Sequence, residues 1–274
     1  MSNELIARAQ LFGAIEGGIN FWAREVLEKG AEKVVELCRE GEYKEDTRAI
    51  LNTNGNQVLE EIAKHGLELI IPGEKFHELP APPIALTVKG NKELLNSKSI
   101  AIVGTRNPTP YGQKVASEMA ANFVDREWVV VSGGAYGIDA AAHKGALIAE
   151  GETIAVLASG LNVLYPAGNA RLFAAIEESG LLISEYMPGT PALPFRFLNR
   201  NRIIAAIGDG TMVVEAAFRS GALRTAHDAA QLNRVVMAIP GPINSPLSEG
   251  CHRLIGDGSA MICTGVNDAI ELMR

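Results

Sequence analysis

Three arginines, two aromatic rings and two asparagines stand together in Phe195-Arg-Phe-Leu-Asn-Arg-Asn-Arg202. Guanidinium groups neutralise phosphates and aromatic faces stack on bases, the pairing that holds a single nucleic-acid strand. The stretch opens a helix expected over 199–207. Cations at a helix N-terminus oppose its dipole, so three of them call for an anion or for acidic partners. The alternative is a helix start with solvated arginines. Residues 99–274 hold eleven arginines and only two lysines. That bias suits phosphate or carboxylate recognition, and it also suits ordinary surface pairing.

A further arginine stands in Ser99-Ile-Ala-Ile-Val-Gly-Thr-Arg-Asn-Pro-Thr-Pro-Tyr-Gly112. The apolar run Ile100–Val103 reads as a buried parallel strand. Gly104, Thr105 and Arg106 end it, with Tyr111 a turn further on. The carboxyl end of such a strand is where open α/β sheets take ligands. Gly104 is expected to let a ligand approach the backbone, and Arg106 to offer it a fork of donors. Further glycine clusters follow other strands, in Ser132-Gly133-Gly134-Ala-Tyr-Gly137 and Ala158-Ser-Gly160. Several in register predict one crevice faced by backbone N–H groups. Ser220-Gly221 opens another helix, with Arg224 and Thr225 in its first turns. Glu215 either orients an arginine such as Arg202 by a bidentate pair or serves as a helix-cap or surface acid.

The common cofactor signatures are missing. No G-x-x-x-x-G-K-[ST] is present, and no G-x-G-x-x-G follows the first strand of the sheet. No cofactor is expected. Catalytic groups are sparse. Asp139 and His143 share a helix face and read as a local surface contact. No serine–histidine–acid order, metal cluster or pair of carboxylates in a shared loop is found. Cys38, Cys251 and Cys263 are odd in number and lack C-x-x-C spacing, which argues against disulfides and zinc.

Positioning these groups falls to two kinds of pattern. Residues 1–75 read as a small helical domain, with apolar faces at Leu5–Phe12, Phe21–Leu27, Ala31–Cys38 and Val58–His65. Its glycine-rich turn, Gly13–Gly18, resembles a helix–hairpin–helix clamp on phosphates or is a plain loop in a packing bundle. Residues 76–98 form a connector with the stiff Pro80-Ala-Pro-Pro83. From 99 to 274, apolar strands alternate with helix-length segments. Strands are expected at 100–103, 128–131, 153–157, 181–184, 211–215, 234–239 and 260–263. Helices are expected at 111–125, 138–149, 169–179, 199–207, 221–232 and 266–273. Alternation of this kind predicts an α/β fold, a mostly parallel sheet with helices on both faces.

The totals set limits. The 274 residues are 47% hydrophobic and 21% charged, enough for a sizeable core. The absence of a span-length apolar run or a signal-like start points to a cytoplasmic protein without a membrane partner. A net charge of −7 argues against a broadly basic nucleic-acid binder but leaves room for a local patch.

Taken in order, the motifs resemble those of the DNA-processing protein A (DprA, or Smf) family. They are Ile-Ala-Ile-Val-Gly-Thr-Arg106, Tyr111-Gly112, Val131-Ser-Gly-Gly-Ala-Tyr-Gly-Ile-Asp-Ala-Ala-Ala-His143, Thr153-Ile-Ala-Val-Leu157, Gly160-Leu161, Tyr165-Pro166, Gly180-Leu-Leu-Ile-Ser-Glu-Tyr186, Pro188-Gly-Thr190, Arg200-Asn-Arg-Ile-Ile-Ala205, Val213-Val-Glu-Ala216, Ser220-Gly221, Thr225-Ala226 and Ala238-Ile-Pro-Gly241. The resemblance covers residues 82–270. It implies an extended Rossmann-like domain that binds single-stranded DNA, forms a homodimer and brings the recombinase RecA to incoming strands in natural transformation. It implies no catalysis. Gly104, Thr105, Arg106, Ser132, Gly133, Gly134, Arg200, Asn201, Arg202, Ser220, Gly221 and Thr225 are the expected DNA and phosphate contacts, with Tyr111 and Glu215 in support. Many members carry a C-terminal winged-helix-like domain, and its role is expected to be absent from a chain ending at Arg274. The wider superfamily includes phosphoribohydrolases with a P-G-G-x-G-T-x-x-E motif. Here the nearest stretch is Gly208-Asp-Gly-Thr211 with Glu215, so a nucleotide sensor or phosphoribohydrolase-like enzyme is the alternative.

Overall fold

Helices fill most of the first seventy residues, as the apolar spacing requires. The computed structural model describes residues 2–274. The opening helices are α1 (Asn3–Ala14), α2 (Asn20–Lys29), α3 (Ala31–Glu40), α4 (Arg48–Asn52) and α5 (Gly55–Lys64). Ser2 caps α1 by accepting from the Leu5 N–H, and Asn54 caps α5 by accepting from Asn56 and Gln57. Leu11, Trp22, Val26, Val34 and Ile50 form their shared core. Trp22 meets Phe21 and Tyr43 edge-on, at 5.0 Å in each case. Two elements here depart from the expectation. The five-residue α4 is too short to show a helical period, and β1 (Glu68–Ile70) adds a strand where the pattern indicated only helices.

The remaining strands are β2 (Leu86–Gly90), β3 (Ser99–Val103), β4 (Val129–Ser132), β5 (Thr153–Leu157), β6 (Leu181–Ser184), β7 (Gly210–Val213), β8 (Val235–Ala238) and β9 (Met261–Ile262). They stand in the order β1-β2-β6-β5-β4-β3-β7-β8-β9. The β1–β2 pair is antiparallel, whereas β3 runs parallel to both β4 and β7. The helices flanking this sheet are α6 (Pro110–Val124), α7 (Ile138–Ile148), α8 (Ala170–Ser179), α9 (Pro194–Ile207), α10 (Gly221–Gln231), α11 (Glu249–Gly256) and α12 (Val266–Leu272). The α/β class and mostly parallel sheet expected from the strand–helix alternation are therefore present.

By its contacts the chain forms two units. One comprises residues up to Lys89 with Ala158–Val163 and Ile183–Asn199; the other comprises Gly90–Leu157, Leu164–Leu182 and Arg200–Arg274. In the second unit, Ile100, Ile102, Met119, Phe123, Val130, Met212 and Met237 build one buried cluster. After β3 the chain goes to β4 and β5 on one side, and it later returns to β7 on the other. The carboxyl ends of β3 and β7 thus flank a topological switch point.

Two differences bear on the site. Helix α9 begins at Pro194, five residues before the expected start. Proline suits the first helical position, because its missing N–H would have no intrahelical partner there. Arg200 and Arg202 therefore lie inside the helix, and only Arg196 is in its first turn. Helix α11 lies between the expected strands at 234–239 and 260–263, where no helix was expected.

Candidate nucleic-acid interface

The turn after β3 is held from two sides. The Thr105 N–H donates to the Glu215 carbonyl at 2.7 Å, and the Ile138 N–H donates to the Thr105 carbonyl at 3.1 Å. The Thr105 hydroxyl accepts from the Asn107 N–H. These bonds leave Arg106 exposed at the tip of the turn. Gly104 also serves packing here. A Cβ at Gly104 would lie 2.6 Å from Ile138 Cγ1 and 2.8 Å from the Glu215 carbonyl oxygen.

Thr109 caps α6, accepting from the Gly112 N–H at 3.1 Å. Its own N–H and hydroxyl donate to the Glu215 carboxylate at 2.9 and 2.6 Å. Glu215 is only 2% exposed. It accepts both donors of Thr109 at the helix start, so the helix-cap alternative describes it and the bidentate pair with Arg202 and the surface acid do not. Tyr111 donates to the Pro240 carbonyl at 2.8 Å. Partial burial, and then the Glu215 charge, push the Tyr111 phenol up.

The loop after β4 is braced from below. Ser132 is buried and donates to the Ile102 carbonyl at 2.6 Å. Arg200 is 4% exposed, and its Nη1 donates to the Gly133 carbonyl at 2.6 Å and to the Val156 carbonyl. Gly133 leaves room for this guanidinium, since a Cβ there would fall 2.3 Å from Arg200 Nη1. The Gly134 carbonyl accepts from Asn169 Nδ2 at 2.9 Å.

Asp139 and His143 lie beneath this loop, both buried, which corrects the expected surface contact. Helix α7 turns that face onto the sheet. Asp139 accepts from the Ala135 N–H, burial pushes its carboxyl up, and the Arg200 charge opposes that rise. Thr153 donates its hydroxyl proton to the Val130 carbonyl at 2.6 Å. His143 Nδ1, 2.7 Å from the same oxygen, must therefore be the donor between them. Burial, with Arg200 adding to it, lowers His143 to about 3.

The arginine-rich stretch resolves into separate settings. Arg196 meets Glu16 through Nε and Nη2 at 2.7 and 2.8 Å, and its guanidinium lies 5.2 Å from the centre of the Tyr186 ring. Arg202 is 8% exposed and lies in the electrostatic neighbourhood of Asp228, which also binds Arg224 at 2.7 Å. The acidic partners that a cationic helix start calls for are thus supplied internally, and the image of three solvated arginines is corrected. Asn201 Nδ2 donates to the Gly221 carbonyl at 3.2 Å, Ser220 caps α10 by accepting from Ala222, and Thr225 is buried. Glu16, Asp228 and Thr109 were missed by sequence reasoning. Only Thr109, standing before Pro110 at a helix start, had a readable signal.

Exposed aromatic rings stand in the segments that follow strands of the second unit. Tyr111 follows β3, Tyr136 follows β4 and Tyr165 follows β5, at 44%, 50% and 49% exposure. Phe218 follows β7, with the Arg253 guanidinium 4.1 Å from its ring centre. Among the described residues, no group of acidic, histidine and cysteine side chains is arranged to hold a metal ion. No described helix is long and apolar enough to cross a membrane.

A parallel sheet crossed at a switch point, with glycine-rich loops at its carboxyl edge, defines a Rossmann-like α/β protein. Residues 72–274 match the family described as DNA recombination-mediator protein A, and the chain belongs to that family. It is 46% identical over 193 residues to a putative DNA processing protein DprA of Mycobacterium tuberculosis, covering 70% of this chain and 49% of that one. It is 45% identical over 188 residues to the DNA processing protein DprA of Streptococcus pneumoniae, covering 69% and 66%. The chain thus spans about half the length of the mycobacterial relative. The X-ray structure of the S. pneumoniae protein superposes with a TM-score of 0.85 at 34% identity, over 99% of this chain and 98% of that one. A Helicobacter pylori DNA processing protein A, whose structure is described for its single-stranded DNA binding mode, gives 0.70 at 29%, over 75% and 94%.

Proposed function

We propose that this protein binds single-stranded DNA across the carboxyl edge of its sheet and mediates recombination without catalysis of its own. The observation that supports this reading best is Arg106, exposed on a firmly held turn among loops that present Tyr111, Tyr136 and Tyr165. A cation on a fixed loop neutralises a phosphate, and aromatic faces beside it accept bases of any sequence. The Gly104-Thr105, Ser132-Gly133-Gly134 and Ser220-Gly221 turns present the contacts, while buried Arg200, Asn201, Arg202 and Thr225 shape them from inside. Delivery of the strand to RecA during natural transformation, a homodimer and a cytoplasmic setting complete the proposal. The match to a single-strand-binding relative supports its DNA part.

A salt titration of binding to oligo-dT, set against duplex of equal length, tests it. Tight binding to the single strand is expected, with log K falling by about 0.7 per phosphate neutralised. Arg106→Ala flattens that slope by about 0.7. Affinity indifferent both to salt and to Arg106→Ala refutes the reading.

A further inference from the structure

The switch point between β3 and β7 is where a Rossmann-like sheet ordinarily seats a nucleotide phosphate, on the N-terminus of the first helix. In this protein that helix is α6, and its N-terminus already faces a negative charge. The Glu215 carboxylate takes the Thr109 N–H at 2.9 Å and the Thr109 hydroxyl at 2.6 Å. Gly112, in the first turn, gives it room. A Cβ at Gly112 would lie 2.2 Å from Glu215 Oε2. In the dinucleotide fold a glycine lets the helix start approach a pyrophosphate; here it lets the helix start approach the protein's own carboxylate. The acid is 2% exposed, and its main-chain carbonyl is tied to the Thr105 N–H at 2.7 Å.

We infer that Glu215 is a built-in anion that occupies the phosphate seat of the switch point, shuts free nucleotides out of it, and sets the turn that carries Arg106. It is a specificity and positioning residue. A second anion at the same N–H groups would meet both the occupying side chain and its charge. Arg106, on the outer side of the turn, is exposed to solvent and stands outside the seat. The inference stands apart from the DNA reading, because exclusion of nucleotides holds whether or not the protein binds a strand.

The test uses the full chain, calorimetric titration with ADP and with inorganic pyrophosphate, and hydrogen exchange at the Thr109 and Gly112 amides. Wild type is expected to show no protection of these amides by either compound. Glu215→Ala opens the seat, so pyrophosphate binds at least ~10-fold more tightly than to wild type. Formate, a carboxylate small enough to replace the lost group, raises the melting temperature of Glu215→Ala by ~2 °C or more and leaves wild type unmoved. Glu215→Gln fills the same volume, its amide oxygen accepting from the Thr109 N–H and its NH2 standing beside the Thr109 hydroxyl, so it stays closed to pyrophosphate. A plain packing role would not produce the formate rescue. Protection of Thr109 and Gly112 by ADP or pyrophosphate in wild type overturns the inference, and so does a folded Glu215→Ala that responds to neither anion. If Glu215→Ala does not fold, the wild-type exchange measurement and the Glu215→Gln titration decide.

Discussion

Replacing Arg200 by alanine separates an internal brace from a DNA contact. The guanidinium is 4% exposed and donates to the Gly133 and Val156 carbonyls. Its removal leaves two buried acceptors short of a donor, at about 1–3 kcal/mol each where nothing replaces it. It also takes a cation away from buried Asp139, whose carboxyl that cation helps to keep ionised. Breaking a buried charge relation from one side costs about 3–5 kcal/mol. The effects overlap, so the expected loss at neutral pH is about 3–5 kcal/mol and not their sum. Urea denaturation measures it. Asp139 binds its proton more readily folded than unfolded, so between its unfolded and raised folded pKa its contribution weakens as pH rises. Without Arg200 the carboxyl rises further, and the deficit of Arg200→Ala should shrink on acidification toward the carboxylate range. Adding Asp139→Asn should recover part of the loss. Where the variant remains folded, its salt slope for oligo-dT should match wild type. A loss below about 1 kcal/mol, far under the buried-pair cost, with a flattened salt slope would refute the brace and make Arg200 a phosphate contact.

Two other outcomes follow from the same interior. His143 is held neutral by burial, lowered to about 3 from an ordinary 6.5. The unfolded chain takes up a proton that the folded one refuses, so its contribution is full above about 6.5 and lost as pH falls toward about 3. Urea melts at pH 7 and pH 5 should show that loss, at up to about 1.4 kcal/mol per pH unit, and His143→Gln should lack this component. Gly112→Ala drives a methyl group into the Glu215 carboxylate and should cost about 1–3 kcal/mol in a urea melt.

Strands β3 to β7 were readable because each is a mainly apolar run wholly withdrawn from water. At β5 and β6 the expected limits coincide with those observed; Gly180 and Glu185 bound β6, and Glu152 and the Ala158-Ser-Gly160 turn bound β5. Helix α9 was read short because proline looks like a breaker in a linear pattern, although it is at home in a first turn. The short α4 and α11 carry too little periodicity to stand out. Among site residues, Arg106 was legible because its turn follows a strand directly. The partners of the buried arginines were not. Glu16 stands 180 residues before Arg196, and no local spacing links them. For Glu215, the linear sequence left arginine clamp and helix cap equally open, and only the approach of β7 to the start of α6 decides between them.

The burial of the arginines divides their reactivity as well as their charge. Arg196, Arg200 and Arg202 are 8%, 4% and 8% exposed, whereas Arg106 stands at the surface. A dicarbonyl reagent that adds across a guanidinium needs room on both sides of the plane. It would meet Arg106 and pass over the three interior groups while the fold holds. Amine-directed acylation would find only Lys114 and Lys144 between residues 99 and 274. The cationic character of this half of the chain is thus written in a side chain that neither a shift of pH nor lysine chemistry can erase.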